Sequence, residues 1–341
     1  MNSVSFLPAT AIIKFMLAIE FTHPGPPDVL HLAEQPEPRL QAGEVLIRVE
    51  AAGVSRADVL QRQGKYPPPP GASPVLGLDV AGVIAKCGSG VTNCKPGDRV
   101  CALVNGGGYA ELCAVAATQV LPIPEGWSAV EAATLPENLF TVFDNISTRA
   151  RLAAGETLLM HGGTSGIGSM AIMLARALGA VPYATAGSDE KCEAAKKIGA
   201  EKAINYRTQD FVKVIKEFTS DRGVDVIGDI VGGDYLARNI DALAREGRLA
   251  LIATLGGAEG NLPIGRLMQK RGTIVASTLR PRTAAEKGAI TQRLLTQIWP
   301  LLPAKRFIRP VIDSTYALTE AQKAHERMES GDHVGKIVLT I

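Results

Sequence analysis

The chain has 341 residues, with 36 Lys plus Arg against 34 Asp plus Glu and a formal net charge of +2. A charge so close to zero gives no reason to expect nucleic acid or an anionic membrane as partner, and no apolar run reaches the length of a bilayer span. The length suffices for two domains with full cores, and five cysteines without a C-x-x-C pair point to reduced thiols in a cytoplasmic protein and away from a disulfide framework.

The first fifteen residues, MNSVSFLPATAIIKF, lack the basic start and small-residue cleavage site of a secretory signal. Residues 1–15 therefore read as an N-terminal extension without order, or as an upstream start. Met16 opens the first strand-like stretch, MLAIEF. From there to residue 137 the pattern is β-rich. Short runs such as Glu44–Glu50, Val80–Ala85 and Arg99–Val104 are separated by Pro–Gly punctuation. The segment from Tyr66-Pro67 to Pro70-Gly71 predicts a stiff, extended loop of the kind that forms the lip of a cleft. Gly106-Gly107-Gly108 precedes a strand-like run and not a helix, so it predicts a tight hairpin, not a phosphate loop.

Residues 138–283 alternate strand and helix patterns, which predicts a doubly wound parallel sheet. The run Glu156–Ala180 carries a buried strand, a glycine-rich turn and a helix with apolar residues at Ile167, Met170, Leu174 and Leu178. Such a turn lets backbone approach a bulky ligand and offers helix N–H groups to a phosphate. The spacing of Gly163, Gly166 and Gly168 is not G-x-G-x-x-G, and packing alone is the competing reading. The next strand ends in Ala186-Gly187-Ser188, with Lys191 one turn on, where an NAD site would place an acid. A hydroxyl and an ammonium suit a 2′-phosphate, so NADPH is expected. Asp189 is the competing contact, assigned here to the first turn of the following helix. A helical stretch follows Thr283 to about Leu302, and a final strand, Lys336–Leu339, returns to the first domain. His161 reads as a structural strand cap.

The runs SRADVLQRQGKYPPPPGASPVLGLDVAG (Ser55–Gly82), KPGDRV (Lys95–Val100), LPENLFTVF (Leu135–Phe143), HGGTSGIG (His161–Gly168), TAGSDEK (Thr185–Lys191) and HVGKIVL (His333–Leu339) carry a family likeness. The chain resembles the zinc-independent quinone oxidoreductases of the medium-chain dehydrogenase/reductase superfamily, and most of all the branch of p53-inducible NADPH:quinone reductases. The resemblance implies an α/β fold: a GroES-like β-barrel domain (16–137 and 284–341) joined to a Rossmann domain (138–283), with NADPH in the cleft and a homodimer. It places the turn of Gly163, Thr164, Ser165, Gly166, Ile167 and Gly168 at the pyrophosphate. Ser188, Lys191 and Tyr206 would hold the 2′-phosphate, with Tyr66 and Thr141 at the nicotinamide end. Ser55 stands where the family carries asparagine, which puts its role beside the nicotinamide in question. Zinc-dependent members place a cysteine and a histidine–glutamate pair where this chain has Val54-Ser55 and Leu78-Asp79, so no metal is expected.

Hydride transfer without a metal needs proximity and a dry cleft, and a quinone suits that because its reduced anion is delocalised. Tyr66 is the candidate for orienting the acceptor, and simple packing at the lip is the other reading. A reductase of enones or alkenals would use the same chemistry. An NADPH-binding sensor or structural protein with little turnover is the alternative of a different class.

Overall fold

The computed structural model describes residues 14–302 and 309–341. The expected extension at 1–15 lies outside the described residues except for Lys14 and Phe15, and Phe15 already belongs to the first strand. In chain order the first part carries β1 (Phe15–Glu20), β2 (His31–Pro36), β3 (Glu44–Val54), α1 (Arg56–Arg62), β4 (Asp79–Cys87), β5 (Arg99–Leu103), β6 (Leu112–Ala116) and β7 (Val120–Pro122). Two short helices follow, α2 (Ala129–Ala132) and α3 (Pro136–Val142), and α3 runs on in wider, π-type turns over Phe143–Arg149.

The second part alternates β8 (Thr157–Met160), α4 (Gly166–Ala177), β9 (Val181–Ala186), α5 (Asp189–Ile198), β10 (Lys202–Asn205), α6 (Phe211–Phe218) and β11 (Val224–Asp229). It ends with α7 (Tyr235–Ala242), β12 (Leu243–Leu251), α8 (Ile264–Lys270) and β13 (Thr273–Ala276). These strands form a six-stranded sheet in the order β10-β9-β8-β11-β12-β13, and every neighbouring pair is parallel. All of β8 is buried, as a central parallel strand covered on both faces must be. Chain order reverses at β8, and in such a sheet the crevice beyond the strand ends at that point receives the ligand.

The chain then crosses back through α9 (Ala284–Gln297), β14 (Ile312–Ala317), α10 (Ala321–Ser330) and β15 (Lys336–Thr340). β15 pairs antiparallel with β3, which completes a seven-stranded sheet: the path β14-β15-β3-β4-β5-β7, with β6 joined to β3. The fold is therefore a GroES-like β domain joined to a Rossmann-type parallel sheet. The glycine run 106–108 corrects the hairpin expectation, because β5 pairs β4 and β7 while β6 pairs β3. The Gly107 and Gly108 N–H groups instead donate to Val75 O and Gly77 O, at 2.7 and 3.2 Å. A Cβ on Gly106 would lie 2.4 Å from Ser73 O. Close backbone approach, not a turn between paired strands, is what these glycines serve.

A chain of buried polar groups holds α1 and α10 together inside the first domain. Arg62 donates to His325 Nδ1 at 3.3 Å and pairs with Glu329 at 2.7 Å. His325 Nε2 lies 3.2 Å from the Tyr109 hydroxyl, which is 3.3 Å from Asp58 Oδ2. Burial and the neighbouring guanidinium of Arg62 push His325 down to about 3, so it is neutral, with its proton on Nε2 facing Tyr109.

Candidate active site

β8 stops at Met160 and α4 starts at Gly166, so residues 161–165 make the turn at the switch point. Ser165 caps the helix, accepting the Gly168 N–H at 3.0 Å and donating to Gly162 O at 2.8 Å. The Gly166 and Ile167 N–H groups of the first turn have no intrahelical partner and lie at the positive end of the helix dipole. That is the arrangement that accepts a phosphate. The glycines also have packing reasons. A Cβ on Gly168 would come 2.1 Å from Gly162 O, and one on Gly163 2.5 Å from the Ala184 Cβ. Thr164 is buried and its carbonyl accepts the Gly335 N–H at 2.8 Å, tying the turn to the C-terminal segment, while Ile167 packs on the core. His161 is fully buried, with Nε2 2.7 Å from Asn239 Oδ1 and Nδ1 3.1 Å from Thr185 Oγ1, a structural post behind the turn.

At the tips of β9 and β10 the second cluster forms. Ser188 caps α5, accepting the Lys191 N–H at 3.2 Å. Asp189 opens α5 and accepts from Asn205 Nδ2 at 2.7 Å, so its carboxylate is engaged within the protein. Tyr206 is 42% exposed, and a Cβ on Gly187 would lie 2.8 Å from its hydroxyl oxygen, so glycine lets the ring close over the strand tip. Lys191 turns its ammonium to Gly331 O. Ser188, Lys191 and Tyr206 thus share one edge of the crevice.

Tyr66 and Thr141 meet at a narrow cavity of about 50 Å³, also lined by Leu78, Glu137, Arg280 and Lys287. Arg280 fastens the lip: it donates to Tyr66 O at 3.2 Å, Gln61 Oε1 at 2.6 Å and Asn105 O at 2.8 Å. Its guanidinium also lies 5.2 Å from the centre of the Tyr66 ring. Ser55, expected beside the nicotinamide, does not line the cavity. It is buried behind it as the N-cap of α1, and its hydroxyl receives a 2.7 Å hydrogen bond from Lys336 Nζ. Lys336 also pairs with Asp79 at 2.7 Å and lies 3.7 Å from Glu137. Asp79 accepts the Glu137 N–H at 2.5 Å as well. Gly53 makes room for this knot, since a Cβ there would be 2.8 Å from both Asp79 Oδ2 and Lys336 Cε. Burial raises the Asp79 and Glu137 carboxyls and Lys336 pulls them back, so one ammonium is shared between two carboxyl groups. No sequence motif assigns a site role to Arg280, Lys287, Glu137 or Lys336. The available signal was a lysine opening the otherwise apolar strand KIVL and a basic run, LRPR, at the end of a parallel strand.

Two family models match: an alcohol dehydrogenase GroES-like domain over residues 41–125 and a zinc-binding dehydrogenase domain over 166–292. The quinone oxidoreductase of Rattus norvegicus is 33% identical over 331 residues, covering 96% of this chain and 98% of that protein. Quinone oxidoreductase 1 of Escherichia coli strain K12 is 32% identical, covering 94% and 98%. A crystal structure of Escherichia coli quinone oxidoreductase complexed with NADPH superposes with a TM-score of 0.83 at 31% identity, covering 95% of this chain and all of that one. The chain belongs to the quinone oxidoreductases of the medium-chain dehydrogenase/reductase superfamily.

Although one matching domain model is described as zinc-binding, the residues here do not fit a zinc ion. Among the described residues no group of three or more His, Cys, Asp or Glu is placed to hold a metal. Where the resemblance places zinc ligands, this chain has Val54-Ser55 and Leu78-Asp79, and the Lys336 ammonium pairs with Asp79 and donates to the Ser55 hydroxyl. Among the described residues no helix is long and apolar enough to cross a membrane.

Proposed function

We propose that this oxidoreductase reduces quinones with NADPH and without a metal. The observation that carries the reading is the cavity itself: Tyr66, Thr141, Arg280 and Lys287 bring hydrogen-bond donors to a pocket between the lip, α3 and α9. When bound, the dihydronicotinamide supplies the hydride. The protein's part is to hold the acceptor flat beside it, exclude water and receive charge on the acceptor oxygen. The glycine turn and the Gly166 and Ile167 N–H groups suit the pyrophosphate. NADPH over NADH is supported by Lys191 beside Ser188 and Tyr206, by an Asp189 carboxylate already engaged, and by the NADPH bound in the Escherichia coli neighbour.

The test is NADPH consumption with 1,2- and 1,4-quinones, using cofactor deuterated at C4. A primary isotope effect and loss of the label from the oxidised cofactor are the expected results. If quinones leave NADPH oxidation unchanged while simple enones accelerate it, the protein is an enone or alkenal reductase. If no acceptor of a broad panel is turned over although NADPH binds tightly, it is a sensor or structural protein.

A homodimer through β13 is part of the proposal. That strand ends the parallel sheet with a free edge, and Ile264 and Met268 on the preceding helix are 62% and 72% exposed. A monomeric mass by light scattering at micromolar protein would overturn it. Five free thiols fit a reducing, cytoplasmic setting.

A further inference from the structure

The cavity has an unusual charge balance. Arg280 is 5% exposed and Lys287 1% exposed, yet every hydrogen-bond partner that either side chain has among the described residues is a neutral oxygen. Lys287 donates to the Arg280 carbonyl at 3.0 Å and to Asn105 Oδ1. An ammonium has three N–H donors, so one remains for a ligand. Buried cations are ordinarily matched by an anion. Glu137, across the same cavity, is committed to Lys336; Asp58, the carboxylate that acts on Arg280, accepts the Ser55 and Gly77 N–H groups and the Tyr109 hydroxyl; and Asp144 is held by Arg149 and Arg282.

We propose that Arg280 and Lys287 form the oxyanion end of the acceptor pocket, where Lys287 contacts the acceptor oxygen that becomes negative on hydride transfer and gives it a proton. This deepens the quinone-reductase reading and rests on it. The balance is complete. Two electrons and one hydrogen leave the dihydronicotinamide for the quinone, which becomes a hydroquinone monoanion. The Lys287 N–H bond then breaks, the new O–H bond forms, and the neutral amine takes a proton back from water. Burial, Arg280 and Arg282 push Lys287 down to about 8, against a small opposing pull from Glu286, which brings the ammonium into the range of a useful acid at neutral pH. Glu137 and Tyr66 are the other titratable groups around the cavity. The segments at 117–122 and 299–301 that also pack on α9 bring none.

The probe is 4-nitrophenol, whose yellow phenolate mimics the reduced acceptor and which accepts no hydride here. It is titrated against the NADPH complex, where the dihydronicotinamide ring is uncharged. An opposite charge within about 4–6 Å moves a titration by one unit or more. The bound phenolate-to-phenol ratio is therefore expected to rise about tenfold over free dye at the same pH. Lys287→Met should lose the shift. Lys287→Arg should keep the shift and lower kcat, because a guanidinium holds charge but gives no proton. In the unmutated protein kcat should fall as pH rises through about 8. Bound dye with an unchanged or lowered phenolate fraction in the unmutated protein overturns the site, and this needs no variant to fold. A kcat flat across that range overturns the proton transfer. Neither result depends on which acceptor is natural: with enones alone the same oxygen is an enolate, and only the quinone assignment fails.

Discussion

The glycine turn and the pocket at Tyr66 are built on opposite principles. The turn comes from one continuous run, Gly162 to Gly168, and works with backbone: N–H groups, tight glycines and a helix end. The pocket is assembled from α1, the lip at Tyr66, α3, the segment after β13 and α9, is backed by Lys336 of β15, and works with charge held out of water. Backbone groups carry only partial charges and satisfy themselves locally. Buried ammonium and guanidinium groups require partners contributed from far along the chain. The first region is therefore strict about space, and the second is strict about which side chains meet.

The sharpest way to break this contrast is Lys336→Met. The substitution keeps the stem and removes the one cation shared by Asp79, Glu137 and Ser55. Breaking a buried pair by deleting one partner destabilises by about 3–5 kcal/mol, and urea unfolding should show a loss of that size. Adding Asp79→Asn should recover part of it. A loss below about 1 kcal/mol would mean that the pocket's charge network is not what holds it together.

A smaller effect is expected at the cofactor end, where charge enters only at the crevice edge. Lys191→Ala should weaken NADPH about tenfold or more, from a charge-assisted hydrogen bond of roughly 1.5–3 kcal/mol, and leave NADH nearly unchanged. Fluorescence titration with both cofactors measures it. Equal affinities in the unmutated protein would remove the basis for NADPH selectivity.

The contrast also explains what could be read in the sequence. The turn was legible because its residues are adjacent and their spacing has a physical meaning, and Asp189 fell in the first turn of α5 as the helix-start argument required. The return of Lys336–Leu339 to the first domain was legible as well, since an apolar strand at the end of the chain needs a sheet. Gly106–Gly108 misled because glycines required by close backbone approach to Ser73 and Val75 have the same composition as glycines in a hairpin. Arg280, Lys287 and Lys336 were illegible for a different reason. A basic residue looks solvent-exposed until the topology shows which distant carbonyl or carboxylate meets it, and Ser55, whose role beside the nicotinamide the sequence left in question, has its hydroxyl facing Lys336.

The smallest expected effect is at Tyr66, where the two regions meet. Tyr66→Phe keeps the ring beside the Arg280 guanidinium and leaves the main-chain acceptor for Arg280 untouched, so the lip stays fastened. Only the hydroxyl is lost. Burial raises the phenol's titration above its ordinary range, with Arg280 opposing, so at neutral pH it acts as a hydrogen-bond donor and not as an acid. A neutral hydrogen bond contributes about 0.5–1.5 kcal/mol. If that bond forms to the acceptor in the transition state, kcat should fall about two- to tenfold while the Kd for NADPH is unchanged. Steady-state rates and a cofactor titration on the same preparation separate the two quantities. An unchanged kcat would assign Tyr66 to packing and leave the acceptor oxygen wholly to the cationic wall of Arg280 and Lys287.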